Sequence, residues 1–272
     1  MGPIDIDLLP DCNARLKAGQ WISLAPIFED YSKLYALFSE LIAFVEEDNN
    51  LCEVAAIDDA IAKTTAERDS SGLALVQLQQ MYQAVGPYQT HGHQYFSGTL
   101  GTVLSRTRVP EFLKDFWQIL EAVKSACDAR CADTLGGGIF RSANSMIKVW
   151  RYRDHGDAPY LAPPHYDRAF FSVLVNSLNP DGEQFRIGCE GAGLPIDEIG
   201  RNYANLASLN PRPEDLPLLF AGTHARTLGY PPVWHSVDRM PIQCECGTRY
   251  SLIYFVTPKG SAQFGEQHIH GL

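Results

Sequence analysis

The sequence predicts an α+β protein, with a helix-rich region over residues 1–138, a double-stranded β-helix (jelly-roll) core over 139–258 and a C-terminal tail over 259–272. Three observations predict it. Apolar residues in the first half recur at helical spacing, three successive glycines interrupt the chain at 136–138, and short apolar runs separated by Pro- and Gly-containing turns follow. Many short strands divided by turn signals mark a sandwich or barrel, and a jelly roll has the right size. A chain of 272 residues with 45% hydrophobic composition can bury a substantial core.

The helical elements come first. Phe28, Tyr31, Leu34, Leu37, Phe38, Leu41, Ile42 and Val45 form the stripe of an amphipathic helix. A second helix is expected over Ile57 to Arg68, with Asp58 and Asp59 in its first turn. A third is expected over Gly72 to Ala84. Gly86 to Gly98 opens on Gly and Pro and reads as a loop, which places His91 and His93 at the surface or a site rim. Pro110 suits the first turn of a long helix reaching about Ala132, because a missing N–H is harmless there. Gly136-Gly137-Gly138 is followed by no GK[ST], so it reads as a joint rather than a phosphate loop.

Beyond the glycines the chain reads as strands. Met146 to Tyr152 is one, and Pro164 to Val175 reads as a single strand starting at His165. Leu216 to Gly222 is another, within an otherwise irregular stretch from Asn176 to Leu228. A last strand runs from Arg249 through Val256 and stops at Pro258.

Chemistry concentrates on these strands. Residues two apart on a strand share a face, so His165 and Asp167 are expected to project together. With His235 they make a two-histidine, one-carboxylate set, which suits a mid-row divalent metal and leaves coordination positions open. Arg249 and Ser251 also share a face. A guanidinium fork with a hydroxyl is a good carboxylate receptor, because Arg binds carboxylates bidentately and stays charged. Extending the parity gives Ala169, Phe171, Val173 and Val175 as an inward wall beside the metal set, and Ile253 and Phe255 beside Arg249 and Ser251.

This ordered set, a strand ending in Tyr152, then His165-x-Asp167, His235 and Arg249-x-Ser251, resembles the Fe(II)/2-oxoglutarate-dependent dioxygenases, in the branch similar to isopenicillin N synthase. Pro3 to Leu8 looks like that branch's N-terminal strand. The resemblance implies that His165, Asp167 and His235 hold Fe(II), and that Arg249, Ser251 and Tyr152 grip the far carboxylate of 2-oxoglutarate, with O2 as the other co-substrate. The segment between His235 and Arg249 is longer than usual, which implies an extended hairpin. Trp150 stands where the branch often has asparagine. Asp167 disfavours a halogenase, whose relatives lose that carboxylate. An oxidase that uses iron and O2 without 2-oxoglutarate, as isopenicillin N synthase does, is an alternative. So is a catalytically inactive jelly-roll binding module.

Net charge of −10 and a sequence pI near 5.2 argue against a nucleic-acid partner. No run of 18 apolar residues exists, so no membrane span is expected. The odd cysteine count of seven does not suit a secreted disulfide framework. A cytoplasmic protein is the simplest expectation, with Cys244-x-Cys246 serving the hairpin. The expected substrate is a small molecule, an amino acid or related carboxylate that is hydroxylated, or else desaturated or cyclised. Lys148 and Arg168 are the cations placed to hold its anionic group. His155, His224, His268 and His270 are assigned to loops, rim or tail. Oligomeric state is not encoded in any motif.

Overall fold

The computed structural model describes residues 10–47, 75–84, 90–98, 111–136, 138, 143–153, 160–178, 185–188, 208–209, 216–238 and 248–258. The expected strand at Pro3–Leu8, the helix over Ile57–Arg68, the Cys244/Cys246 hairpin and the C-terminal tail lie outside the described residues.

Three α-helices are described. Short α1 (Pro10–Lys17) precedes α2 (Ser32–Glu47), whose start is marked by the Ser32 amide donating to Asp30 Oδ1 at 2.8 Å. Leu34, Tyr35, Leu37 and Phe38 of α2 are buried, four positions on the side the sequence stripe marks out. The long α3 (Glu111–Leu135) buries Phe116, Leu120, Val123, Cys127, Cys131 and Leu135 at spacings of three and four. Gly136, at φ 75°, follows its last turn in the left-handed conformation that glycine adopts without a Cβ penalty.

Eleven strands are described, in two sheets. The larger has the order β1 (Ile22–Ser23), β9 (Leu218–Ala221), β6 (Phe171–Leu178), β11 (Thr248–Pro258), β4 (Ala143–Arg153), β2 (Leu75–Ala84), β3 (Thr90–Gly98). The smaller has the order β5 (Tyr160–His165), β10 (His235–Asp238), β7 (Phe185–Gly188), β8 (Ser208–Leu209). All pairings are antiparallel except β2 with β4. From β4 to β7 successive strands alternate between the sheets, and the alternation resumes from β8 to β11.

The main sheet has helices on one side and the small sheet on the other. Alternate residues of β6 and β11 therefore enter different cores. Phe171, Val173 and Val175 with Leu252, Tyr254 and Val256 join the helices in the larger core. Leu174 with Ile253 and Phe255 meets Ile187 and Val237 of the small sheet in a second core. Two further contacts dock the helices: Tyr35 Oη donates to Asn176 Oδ1 at 2.9 Å, and Tyr254 Oη bonds the Asp128 carboxylate of α3.

Three expectations are corrected here. Residues 75–84 are strand β2 rather than helix, and 90–98 are strand β3 rather than loop. Leu, Gln, Met and Ala are good helix formers in isolation, and pairing with the open edge of β4 overrides that preference. The two strands pair antiparallel with bulges between Leu78 and Gln79 and between Met81 and Gln83. The region before the triple glycine thus supplies three strands to the main sheet. Thirdly, Pro164–Val175 is not one strand: β5 ends at His165 and β6 begins at Phe171. The intervening bend breaks the parity count, so Phe171, Val173 and Val175 face the helices, and only Ala169 of that predicted wall joins the core beside the metal ligands.

Candidate metal centre

His165 ends β5 and His235 begins β10, and the antiparallel register sets them directly opposite one another. Opposed residues have Cβ atoms roughly 4.5–5.5 Å apart, so the ladder unites two positions remote in sequence. Their ring centroids are 4.2 Å apart, with the planes at 57°.

Asp167 lies past the end of β5, so the strand pleat does not aim it. The chain around Gly222 does. Thr223 N donates to Asp167 O at 2.8 Å, Gly222 N to Phe170 O at 3.0 Å and His224 N to Ala169 O at 3.0 Å. Gly222 is also packed hard on this bend: a Cβ there would lie 2.5 Å from Ala169 O and 2.7 Å from Asp167 O. Thus fixed, Asp167 Oδ1 stands 3.5 Å from His235 Nε2 and 3.8 Å from His165 Nε2. One ligand atom from each of the three residues falls within 4.8 Å of the others.

The electrostatics suit a cation. Burial, the largest influence, raises the Asp167 pKa, yet His235 and then His165 outweigh it and hold the carboxyl well below the usual range. The ligand is therefore a carboxylate at any working pH. The Ser172 hydroxyl lies near enough to add slightly to this effect, without the geometry of a true hydrogen bond. Asp167 Oδ2 is buried with no hydrogen-bond partner among the described residues. An orphaned carboxylate oxygen costs roughly 1–3 kcal/mol or more, and a bound cation would remove that cost. His235 Nδ1 faces the Val233 carbonyl at 3.5 Å, a long contact that leaves Nε2 turned to Asp167. Phe220 lies 4.9 Å from the His235 ring, centroid to centroid. The three residues fit a divalent metal of the Fe(II) type, since two imidazoles and one carboxylate supply three ligands and leave the remaining coordination positions to other molecules. The His165 side chain is 25% exposed and that of His235 only 4%, so the centre opens on the β5 side.

The remaining predicted residues divide. Lys148 is not a solvated edge charge. It is 1% exposed and paired in register with Ile253, with its ammonium 5.4 Å from the Phe255 ring centroid. Burial pulls its pKa from 10.5 down to about 7, with Asp167 opposing the fall. Ser251 is 1% exposed, and its Oγ is buried with no hydrogen-bond partner among the described residues. Arg249 and Tyr152 are direct partners in the β4–β11 ladder, and their side chains lie outside the described residues. Arg168 is half-buried near His224, whose pKa is lowered by burial first and then by Arg168. His224 stands on the 3₁₀ turn Thr223–Leu228 against Phe170, consistent with a rim position. Sequence reasoning missed Gly222, Ser172 and Phe220. The only signal for Gly222 was its place immediately after an apolar strand.

No family model matches the chain, and no curated protein does. Among solved structures, a full-length Neurospora crassa protein in complex with alpha-KG and 5-formyluracil is 14% identical over 60% of this chain and 58% of that one, with a TM-score of 0.41. A candidate 2OG-Fe(II) oxygenase family protein from Caulobacter crescentus is 13% identical over 90% of this chain and 79% of that one, at a TM-score of 0.46. A candidate oxygenase from Shewanella oneidensis is 13% identical over 99% and 94% of the two chains, at 0.44. The chain spans less than two thirds of the length of the Neurospora crassa protein. Likenesses this distant decide nothing about the site, which rests on its own residues. Among the described residues, no helix is long and apolar enough to cross a membrane.

Proposed function

We propose that the chain is a non-haem Fe(II)/2-oxoglutarate-dependent oxygenase with a jelly-roll core, oxidising a small molecule such as an amino acid or related carboxylate. The observation that carries this reading is the cross-strand pair His165–His235 converging with Asp167, whose Oδ2 is buried and unsatisfied. The alternation of successive strands between two sheets supports the jelly roll.

In this reading His165 and His235 present Nε2 and Asp167 its carboxylate to the metal. Arg249, Ser251 and Tyr152, on the paired strands β4 and β11, receive the far carboxylate of 2-oxoglutarate. Bound iron supplies what no side chain can, the activation of O2 coupled to loss of CO2 from the co-substrate. The net change is R–H + 2-oxoglutarate + O2 → R–OH + succinate + CO2, or the corresponding desaturation or cyclisation. The chain's own part is positioning and dryness. Phe220, Ile253, Phe255 and Leu174 exclude water from the inner side of the centre, and the thinner cover at His165 leaves the approach for a substrate. Arg168, beside the metal motif, is the rim cation for an anionic substrate group. The acidic chain suits a small-molecule partner in the cytoplasm rather than nucleic acid.

The test is an anaerobic titration of the Fe(II) protein with 2-oxoglutarate, followed by succinate assay in air. A visible charge-transfer band and iron-dependent succinate formation are expected. Iron binding without the band, with O2 consumed by a substrate alone, would move the protein to the oxidases that need no 2-oxoglutarate. Absence of iron binding would leave a binding module.

A further inference from the structure

A lone hydroxyl stands in the apolar core that backs the metal centre. Ser172 of β6 is paired in register with Phe220 of β9 on one side and with Phe255 of β11 on the other. Residues directly opposed across a ladder share a face of the sheet, and both phenylalanines, with Leu174 two positions along β6, belong to the core between the sheets. Ser172 therefore faces that core too, on the side where Phe220 packs on the His235 ring, and it is fully buried. Its Oγ has no hydrogen-bond partner among the described residues. For packing alone this is a poor choice, because an unpaired buried hydroxyl carries a cost that alanine would avoid.

A second orphan lies in the same place. Asp167 directs Oδ1 at both imidazoles, 3.5 Å from His235 Nε2 and 3.8 Å from His165 Nε2, and its Oδ2 is buried with no hydrogen-bond partner among the described residues. One orphan is a donor and the other an acceptor, so each is what the other lacks. The two residues are also near one another: burial raises the Asp167 pKa, the two histidines outweigh it, and Ser172 is close enough to the carboxyl to add to their effect.

We propose that Ser172 is a positioning residue for the metal carboxylate: its hydroxyl donates to Asp167 Oδ2, commits Oδ1 alone to the metal and so keeps free the coordination position that a second carboxylate oxygen would take. The proposal rests on the metal-centre reading and on neither 2-oxoglutarate nor the substrate. Carboxylates hold cations through one oxygen or through both. A hydrogen bond to the second oxygen competes with the metal for that atom and opposes the two-oxygen mode, and bonds of this kind from neighbouring groups orient metal-ligating side chains. A centre with three protein ligands that must take up small molecules has a use for every remaining position. The serine thus trades a cost in the core for an open place on the metal.

The test uses the full chain with Mn(II) as the probe, in the wild type, in Ser172→Ala and in Ser172→Thr, which keeps the hydroxyl. Calorimetry gives the affinity, and the relaxation of solvent protons by bound Mn(II) gives the number of waters on the ion. The wild type should hold one Mn(II) carrying about three waters, the positions that three protein ligands leave on an octahedral ion. Ser172→Ala should still bind one Mn(II), roughly tenfold more weakly, with the relaxation reduced by about a third as Oδ2 takes the place of one water. Ser172→Thr should stay near the wild type in both. Urea denaturation without metal separates positioning from structure: there Ser172→Ala should be at least as stable as the wild type, because alanine removes an orphan. Unchanged relaxation in Ser172→Ala, whatever its affinity, would overturn the proposal, and so would a loss of stability that is the same with and without Mn(II). A wild type that binds no Mn(II) would remove the metal centre itself and the proposal with it, whereas Mn(II) binding that Ser172→Ala leaves untouched removes the proposal alone.

Discussion

Gly222 lies directly against the backbone that presents Asp167, closer than a side chain allows. Its own φ of −98° is ordinary, so the constraint is steric rather than conformational. Gly222→Ala must push the 167–170 bend away by the better part of an ångström, which costs about 1–3 kcal/mol in a packed site. We expect a folded variant with native circular dichroism whose Mn(II) affinity falls tenfold or more, since a carboxylate displaced by that much no longer meets both imidazoles. Unchanged metal affinity would show that Gly222 is structural only.

The two histidines should differ in the metal-free protein. His235 is nearly enclosed and packs on Phe220, whereas His165 is a quarter exposed. His235→Ala should cost on the order of 2 kcal/mol and His165→Ala under about 1. Both should abolish stoichiometric iron. Chemical denaturation gives the first comparison and iron analysis the second.

Lys148 makes stability depend on pH with a defined sign. Its folded pKa of about 7 lies below the unfolded 10.5, so between these values the unfolded chain binds one proton more and stability rises with pH. The penalty of the buried ammonium is complete below pH 7 and vanishes above 10.5. Metal-free Lys148→Met should therefore exceed the wild type in stability at pH 7, and the gap should narrow by about 1.4 kcal/mol per unit as pH rises. Urea titrations of both proteins at pH 7, 8 and 9 measure it. A constant gap would mean that the amine stays charged throughout.

Tyr254 offers a control outside the site. Its hydroxyl bonds Asp128, which also pairs with Lys124, and its ring sits in the core beneath the helices. Tyr254→Phe should lower stability by about 1 kcal/mol and leave Mn(II) affinity unchanged, because the substitution acts on the face of β11 away from the metal.

Part of the β core was legible because strand side chains alternate, and the candidate ligands were legible because His, Asp and Arg stand out beside apolar runs, although the strand bearing His165 was merged with the next one. Strands β4, β9 and β11 fall where the pattern places them. Residues 75–98 were not legible. The pairing that makes β2 a strand comes from β4, 71 positions further along the chain, and nothing local in a glutamine-rich segment reports it. Inward parity failed on β6 for another reason: a period-2 count holds only along an unbroken strand, and the bend at 166–170 resets it. Lys148 is buried on the face it shares with its ladder partner Ile253, which packs in the core between the sheets, and a sequence does not display that packing.

The position of β5 in its sheet has one more consequence. Among the described strands it pairs with β10 alone and stands at the end of the order. A metal held by His165 and His235 joins that outermost strand to its neighbour and closes the chain from 165 to 235 into a loop, as a crosslink would. Taken away, it leaves β5 held to the described part of its sheet by the β10 ladder alone, and a strand with an open edge is one to which other strands add. Chelated protein should then be cut by protease between β5 and β10 sooner than elsewhere, and should aggregate faster on storage. The ion would act as a fastener as well as a reagent.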